Sequence, residues 1–145
     1  MKFTIYIDGA SRGNPGQSSC AAIIKDQKGN VVCSEGQFLG EVTNNHAEFC
    51  ALKLALEKAL EIGIKEAQIY SDSNLLVNQF NGIYKIKNQN LFNLMSEIRF
   101  LSGKFKSVKI THITRDLNTQ ADELANITLN LHGNKLNKKS NTELF

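Results

Sequence analysis

The feature that most constrains the fold is a change of hydrophobic period near residue 40. Before it, three short segments have the pattern of β-strands, at residues 2–8, 19–25 and 31–38. The short glycine-containing connection between the second and third segments favours an antiparallel hairpin. After the change, helical patterns alternate with two further strand patterns. Three consecutive strands followed by strand–helix crossovers predict one mixed sheet with helices packed against it.

The whole order is predicted to be β-β-β-α-β-α-α-β-α, an α/β fold. The predicted helices span residues 45–62, 73–80, 90–101 and 119–131, and the later strands span 66–71 and 107–114. A chain of 145 residues suits a single domain with a substantial core. We therefore expect one domain at residues 1–131. The Lys- and Asn-rich stretch at 132–145 is expected to be a loose polar tail.

The composition is that of a soluble globular protein, with 41% hydrophobic and 21% charged residues. No apolar run is long enough to span a bilayer, and the N-terminus leads directly into a strand pattern, so no signal peptide is expected. Three cysteines without CxxC spacing, Cys20, Cys33 and Cys50, indicate reduced core residues and a cytoplasmic location. The net charge of +3 is a weak indication of a polyanionic partner.

Four acidic residues occupy special positions in the predicted order. Asp8 ends the first strand, Asp72 follows the fourth, and Glu48 and Asp122 fall in the first turns of two helices. If the first and fourth strands are parallel neighbours, their carboxyl ends meet at one edge of the sheet, where open α/β sheets commonly bind ligands. Asp8 and Asp72 are then expected to point into one crevice, with the helix N-termini near the same rim.

Each acid also has a purely structural interpretation. Glu48 lies three residues after Asn45, and Asp122 lies three residues after Thr119, which is the spacing of a capping box. A carboxylate in the first turn also complements the helix dipole. The alternative for Asp72 is that it caps the helix that follows it, and the alternative for Asp8 is that it forms a turn.

The four acids carry more information together than singly. Converging carboxylates repel each other strongly unless cations lie among them. Oxygen ligands of this kind suit Mg²⁺ or Mn²⁺, and two such ions make a phosphoryl-transfer site that stabilises both the attacking and the leaving oxygen. The sequence therefore predicts a catalytic metal site made of Asp8, Glu48, Asp72 and Asp122.

Four motifs carry a family resemblance. In chain order they are YIDGASRGNPG, TNNHAEFCAL, YSDSNLLVNQF and NTQADELAN, and the similarity covers the chain from Lys2 to about Leu131. Together they resemble the type 1 ribonuclease H family, and each lies on the expected element. The fold implied by this resemblance is the ribonuclease H-like fold, a five-stranded mixed sheet flanked by helices.

The resemblance implies an endonuclease that hydrolyses the RNA strand of RNA–DNA hybrids and leaves 5′-phosphate and 3′-hydroxyl ends. It also implies two Mg²⁺ ions per site, with Mn²⁺ as a substitute. The acids of the family map onto Asp8, Glu48, Asp72 and Asp122. By this mapping Asp8 bridges both ions, and Asp72 and Asp122 each bind mainly one. Glu48 binds an ion and orients a water near the RNA 2′-hydroxyl.

The resemblance also gives the glycine-rich stretch after Asp8 a role. Proteins distinguish RNA from DNA by the 2′-hydroxyl, which lies in a wide, shallow minor groove, and a backbone without bulky side chains can approach that groove. A plain turn is the alternative interpretation of GNPG. The residues assigned to substrate contact are Gly9, Ser11, Asn14, Asn44, Asn45, Ser73 and Arg115.

The sequence departs from the family pattern in two places. Many relatives have a histidine between the last strand and the last helix, whereas the segment ITRDLNTQAD has none. Arg115 is the substitute candidate; it stays protonated, so it suits phosphate binding rather than base catalysis, and a solvated loop arginine is the alternative. Some relatives also carry a basic, Trp-containing helix. This chain has no Trp and offers, as candidate phosphate contacts, Lys85, Lys87, Lys135, Lys138 and Lys139.

Two alternatives to a hybrid-cutting enzyme stay open. One is a domain of the same fold that binds hybrids without cutting them, and the other is a different nuclease on the same fold, such as a recombinase or an exonuclease. Clustered acids argue against a pure binding module, because it gains nothing from repelling charges. A monomer is expected, with no obligate protein partner and no membrane contact.

Overall fold

A computed structural model describes residues 2–143 of the chain, with side chains as far as residue 132. The strands are β1 Phe3–Gly13, β2 Gly16–Lys25, β3 Val31–Val42, β4 Glu66–Ser71 and β5 Ser107–His112. The helices are α1 Asn44–Ile62, α2 Asn74–Phe80, α3 Gln89–Ser102 and α4 Thr119–Glu143, with a 3₁₀ turn at Arg115–Leu117. Of the helices in this part of the chain, none combines the length and the apolar character needed to cross a bilayer.

The five strands form one mixed sheet in the order β3-β2-β1-β4-β5. The first three strands form the predicted antiparallel meander, and β4 then pairs in parallel with both β1 and β5. This confirms the predicted fold class. The last register pair between β1 and β4 joins Ile7 to Ser71, so the residues after both members lie at the same edge of the sheet.

The hydrophobic core lies between the sheet and α1. Ile5 and Ile7 of β1 are fully buried, as are Phe49 and Leu52 of α1. On the opposite face, α4 packs against β1, β2 and β3. Burial of apolar surface contributes about 25 cal/mol per Å². The apolar contacts on the two faces therefore hold both helices in place relative to β1.

Two elements differ from the sequence prediction. The stretch after Asp8, predicted as an open loop, continues β1 in register with β2 as far as the pair Gly13 and Gly16; the glycines here permit a tight hairpin, with Gly13 at a positive φ of 124°. Helix α4 continues to Glu143, beyond the predicted end near Leu131. This stretch lacks proline, and adding residues to a formed helix avoids the cost of nucleation.

The predicted tail contacts fall on residues whose side chains lie outside the described part of the chain, namely Lys135, Lys138 and Lys139. Their proposed phosphate binding, and the division of the chain at residue 131, therefore stay predictions.

Candidate active site

A cleft of about 370 Å³ opens at the carboxyl end of β4, beside the point in β1 where its pairing with β4 ends. All four acids that the sequence singles out line this cleft, together with two arginines and several residues of the predicted substrate-contacting set. The lining residues used below are Asp8, Gly9, Ser11, Arg12, Asn44, Glu48, Asp72, Arg115, Asp122 and Asn126.

Parallel pairing of β1 with β4 places Asp8 beside Asp72. Each acid directly follows a residue of the last register pair between these strands, Ile7 and Ser71. The alternative role of Asp72 as a helix cap is wrong, because Ser73 caps α2: its hydroxyl accepts a hydrogen bond of 3.2 Å from the backbone N–H of Leu76. The carboxylate of Asp72 is therefore left to face the cleft.

The N-terminal part of α1 brings Glu48 to the same edge. Helix α1 begins after Thr43, whose side chain accepts from the backbone N–H of His46 at 3.1 Å. Glu48 consequently lies in the second turn and not in the first, and Asn45 is not its capping partner; both parts of the capping prediction were wrong for this residue. The early cap moves the helix start back by one residue and leaves the Glu48 carboxylate free of the helix terminus.

Gly9 allows α1 to lie against β1 at this point. A Cβ atom at position 9 would lie 2.7 Å from the backbone carbon of Ala47 and 2.7 Å from the backbone nitrogen of Glu48. Real Cβ atoms do not make contacts this short, so only glycine fits without a shift of the helix backbone. Gly9 thus positions Glu48, a role distinct from the substrate contact predicted for it.

Three of the acids form a compact group. Asp8, Glu48 and Asp72 each offer one carboxylate oxygen, and these three oxygens lie within 4.8 Å of one another. Asp122 lies in the first turn of α4, as predicted; it lines the same cleft as Asp8 and helps to raise the pKa of Asp8. The structure therefore brings together all four predicted acids, with three in ligand geometry and the fourth beside them.

The group is strained electrostatically. Asp8 is only 4% exposed; burial raises its pKa to about 8, and the charges of Asp72 and Asp122 act in the same direction. Burial likewise raises the pKa of Glu48 well above its ordinary value, followed by the charges of Asp8 and Asp72. The Oε2 atom of Glu48 is buried without a hydrogen-bond partner.

These observations fit a divalent cation. A hard cation takes oxygen ligands of this type, satisfies the unpartnered Glu48 oxygen and offsets the mutual repulsion of the carboxylates. Asp8, Glu48 and Asp72 are the residues that would hold it.

The metal-free chain is expected to lose stability as the pH rises from about 4 to about 8. Asp8 has a folded-state pKa of about 8 against an ordinary value of 3.8. Between these values the folded chain keeps a proton that the unfolded chain has released, so raising the pH favours unfolding. Urea unfolding in EDTA at pH 5 and pH 8 measures the effect. The Asp8→Asn variant should show a flatter pH dependence, and equal dependence in both proteins would contradict the assignment.

Two asparagines support the acids and were not predicted as functional residues. Asn118 is 1% exposed; its Nδ2 donates to the carbonyl oxygen of Ile7 at 2.8 Å and to Asp72 Oδ2 at 3.3 Å. Asn126 donates from Nδ2 to the backbone oxygen of Asp122 at 2.9 Å and to its Oδ1 at 3.3 Å. Both lie in the motif NTQADELAN, where the spacing of four residues between Asp122 and Asn126 was an available signal.

Several residues of the predicted substrate-contacting set have structural partners within the chain. Asn14 Oδ1 accepts from the backbone N–H of Asn44 at 3.0 Å, which ties the β1–β2 hairpin to the start of α1. The hydroxyls of Ser11 and Ser18 lie 2.6 Å apart and join the hairpin to the end of β3. Ser73 is occupied as the cap of α2. These contacts hold the rim of the cleft in place and leave substrate binding by these residues as a prediction.

Two other residues of the predicted substrate-contacting set, Asn45 and Arg115, have polar groups without a partner among the described side chains. The Oδ1 atom of Asn45 is buried without a hydrogen-bond partner among the described residues. Arg115 is exposed and lines the cleft opposite Arg12 of the hairpin. Among the side chains of residues 2–132, neither arginine forms an ion pair. Both guanidinium groups are therefore available to bind an anion.

A five-stranded sheet in this order, with an acidic cleft where the pairing of β1 with β4 ends, defines the class of ribonuclease H-like domains. A family model described as reverse transcriptase-like matches residues 6–128. Ribonuclease H of Chlorobium phaeobacteroides is 34% identical over 140 residues, which cover 86% of this chain and 92% of that protein. Ribonuclease HI of Halobacterium salinarum is 37% identical over 124 residues, covering 86% and 62%. The chain belongs to the type 1 ribonuclease H family.

Solved structures agree with this assignment. LC11-RNase H1 in complex with an RNA/DNA hybrid superposes with a TM-score of 0.86 at 36% identity, over 90% of this chain and 99% of that one. A crystal structure of RNase H1 from Halobacterium salinarum gives a TM-score of 0.85 at 36% identity, over 88% of this chain and 97% of that one. The chain spans only 35% of the length of a bifunctional Mycobacterium tuberculosis protein to which it is 37% identical over 127 residues.

Proposed function

We propose that this chain is an endonuclease that hydrolyses the RNA strand of RNA–DNA hybrids with the help of two divalent cations, Mg²⁺ or Mn²⁺. The observation that carries the proposal is the group of carboxylate oxygens from Asp8, Glu48 and Asp72, within 4.8 Å of one another in a cleft of the ribonuclease H fold. Intact acids at all positions favour catalysis over binding alone, because their repulsion would otherwise be a cost without a function.

The chain's own residues have separable tasks in this proposal. Asp8, Glu48 and Asp72 would hold the cations, since their carboxylate oxygens lie within 4.8 Å of one another, and Asp122, which acts on Asp8, would complete the set. When bound, such ions lower the pKa of an attacking water and stabilise the charge that develops on the leaving 3′ oxygen. Glu48 also orients a water near the 2′-hydroxyl. Asn118 and Asn126 hold the carboxylates of Asp72 and Asp122 in position.

Recognition of the hybrid is proposed to come from the two sides of the cleft. Arg12 and the hairpin approach from the β2 side, while Arg115 approaches from the β5 side. Guanidinium groups bind phosphate oxygens through paired hydrogen bonds. The hybrid in the complex of LC11-RNase H1 supports this substrate class for a chain of the same family.

The deciding experiment is cleavage of an end-labelled RNA–DNA hybrid by the purified chain in Mg²⁺, in Mn²⁺ and in EDTA, beside DNA–DNA and RNA–RNA duplexes. We expect internal, metal-dependent cuts confined to the RNA of the hybrid, with 5′-phosphate and 3′-hydroxyl ends. A circular substrate without free ends separates an endonuclease from an exonuclease. Retention of the hybrid in a gel without any cutting would instead indicate the binding module.

Arg115→Ala is expected to lower the turnover number roughly tenfold, as for loss of one charge-assisted hydrogen bond, and to change hybrid affinity less. The reason is that Arg115 lines the cleft in which, by this proposal, the scissile phosphate and the product anion would lie. Turnover is measured with saturating hybrid, and affinity is measured in EDTA. Lys28→Ala, an exposed cation on the β2–β3 turn, is the matched control. An unchanged turnover number would make Arg115 a solvated loop residue.

We further propose a cytoplasmic monomer. The three cysteines are all free in the structure, and burial raises the thiol pKa of Cys20 and raises that of Cys50 to about 11. Thiols of this kind are unreactive, as expected of a protein from a reducing compartment.

A further inference from the structure

Among the described residues, one face of the sheet is left uncovered at β4 and β5, beside the active site. Helix α4 covers β1, β2 and β3 on this side, and the outward side chains of β4 and β5 project past it. Strand register puts Tyr6, Gln68, Tyr70, Lys109 and Thr111 on this surface, called here the open face. Within the described residues, Lys109 is exposed and the other four are half-buried.

The open face combines aromatic rings with cations and amide groups. The rings of Tyr6 and Tyr70 are register partners with centroids 5.2 Å apart and planes inclined by 32°. The ammonium group of Lys25 lies 5.0 Å from the centre of the Tyr6 ring. Gln68 Nε2 donates to Thr111 Oγ1 at 3.1 Å. A groove of about 380 Å³ is lined in part by Gln68, Tyr70 and Lys109.

The chemistry of this surface fits a single-stranded nucleic acid. Bases stack on aromatic rings with little sequence preference, and a basic groove follows the backbone. The groove is lined by Lys2 and Lys109 against a single acid, Glu66, and Lys25 adds a third cation at the Tyr6 ring. This charge balance favours a polyanion and disfavours an apolar partner.

The open face is also continuous with the catalytic cleft. Within β1, Asp8 lies two residues after Tyr6, so both side chains project to the same side of the sheet. Asp72 lies two residues after Tyr70, directly past the end of β4. From Asp8 back to Thr4, which pairs with Lys25, the path is about 13 Å at roughly 3.3 Å per residue. A strand that leaves the cleft on this side meets the tyrosines first and the lysines next.

We infer that the open face binds a single-stranded extension of the hybrid held in the cleft, an inference that rests on the proposed function. It adds a binding surface that selects hybrids flanked by single strands over blunt ones. A tyrosine pair that only stabilises the sheet would leave such selection unaffected, and the experiments below separate the two roles.

Tyrosine fluorescence tests contact directly, without catalysis. The chain has no Trp and three tyrosines, so in a Tyr84→Phe protein all intrinsic emission comes from Tyr6 and Tyr70. Short single-stranded RNA and DNA oligonucleotides, added in EDTA, are expected to quench this emission saturably. Lys109→Ala should lower the slope of log affinity against log salt by about 0.7, the value for one lost phosphate contact, while Lys28→Ala should not. If neither the RNA nor the DNA oligonucleotide quenches the emission saturably, the inference is overturned.

A comparison of hybrids with and without single-stranded extensions tests whether the open face and the cleft bind the same molecule. Hybrids that are blunt, or that carry a 5′ or 3′ extension of RNA or of DNA, are compared in EDTA. The unaltered chain should bind one extended form at least about fivefold more tightly than the blunt form, the lower end of what one stacked base contributes. Tyr70→Thr, which keeps a good strand-forming residue, should lose this preference and retain its affinity for the blunt hybrid.

The outcomes are distinguishable from failure of the proposed function. Metal-dependent cleavage of the blunt hybrid by the chain and by both variants tests the catalytic proposal alone. Equal affinity of the unaltered chain for blunt and extended hybrids, or an equal preference in Tyr70→Thr, overturns the open-face inference while leaving catalysis standing. A concentration-dependent doubling of mass that Lys109→Ala or Tyr70→Thr abolishes would assign the face to a second copy of the chain, which also overturns it.

Discussion

Asp8→Asn and Asp72→Asn are each expected to reduce metal-dependent cleavage of the RNA–DNA hybrid to background while leaving the chain folded. Both residues contribute carboxylate oxygens to the compact acidic group, and the amide of asparagine is a weaker and uncharged ligand for a hard cation. The loss should exceed the 10–100-fold that removal of an outer-shell partner typically costs.

Stability should move in the opposite direction. In the metal-free chain Asp8 is buried beside two other acids, which is why its pKa rises to about 8. Replacing it with a neutral residue of the same shape removes the repulsion, so the free energy of unfolding at pH 8 should rise by at least about 1.4 kcal/mol, the equivalent of a one-unit pKa displacement. Loss of activity with gain of stability is difficult to obtain from a folding defect.

The matched control is Asp116→Asn, because Asp116 is an exposed acid on the 3₁₀ turn beside the cleft and does not line it. Cleavage rates, urea unfolding in EDTA and hybrid retention in a gel are measured on all three variants. Near-normal cleavage by either active-site variant, or an equal loss in the control, would show that the acidic group is not the metal site.

The sequence predicted where the acids meet on one condition, that the first and fourth strands are parallel neighbours, and the structure meets that condition. Asp8 and Asp72 each follow a strand pattern, and strands joined by a helical crossover are parallel. Once β1 and β4 pair, both carboxylates must lie at one edge. The helix N-termini that carry Glu48 and Asp122 were expected near the same rim, and the family resemblance then implied a separate role for each acid.

What the sequence did not predict depends on contacts between distant segments. The hydrogen bond from Asn118 to the carbonyl of Ile7 spans 111 residues, and no local pattern distinguishes this buried asparagine from one in a solvated loop. The cap of α1 was misplaced because Thr43, Asn44 and Asn45 are all good capping residues. In the structure Thr43 is the cap, and Asn14 of the distant hairpin accepts from the backbone N–H of Asn44.

Asp72 and Ser73 illustrate the same limit at a shorter range. Both are preferred capping residues, and they are adjacent, so the sequence alone does not say which one caps α2. The answer decides function: because Ser73 accepts the N–H of Leu76, Asp72 is available to the cleft. A one-residue ambiguity in a local motif therefore separates a structural acid from a metal ligand.

Gly9→Ala is expected to lower both the stability and the activity of the chain. The added Cβ would lie 2.7 Å from backbone atoms of Ala47 and Glu48, and backbone atoms cannot turn away as a flexible side chain can. Helix α1 must shift, and overpacking of this kind costs roughly 1–3 kcal/mol. The shift carries Glu48 away from Asp8, so cleavage should fall even under conditions in which the variant is folded.

Gly103→Ala provides the control for this substitution. Gly103 has a right-handed helical conformation, and a Cβ there would meet its nearest neighbour at an ordinary 3.4 Å. An added methyl group should therefore be neutral or stabilising by up to about 1 kcal/mol, through the reduced entropy of the unfolded chain. Urea unfolding gives the free energies of unfolding. Cleavage measured without denaturant, at a temperature well below the unfolding transition, gives the activities.

The comparison decides how Glu48 is held in place. If Gly9→Ala loses both stability and activity while Gly103→Ala loses neither, the close approach of α1 to β1 is what positions the Glu48 carboxylate. If Gly9→Ala is as stable and as active as the unaltered chain, α1 can move without cost, and the position of Glu48 must come from its ligands instead. Restored activity at high Mg²⁺ in a destabilised Gly9→Ala protein would identify the metal as able to draw Glu48 back, because a ligand that binds only the folded arrangement stabilises it by mass action.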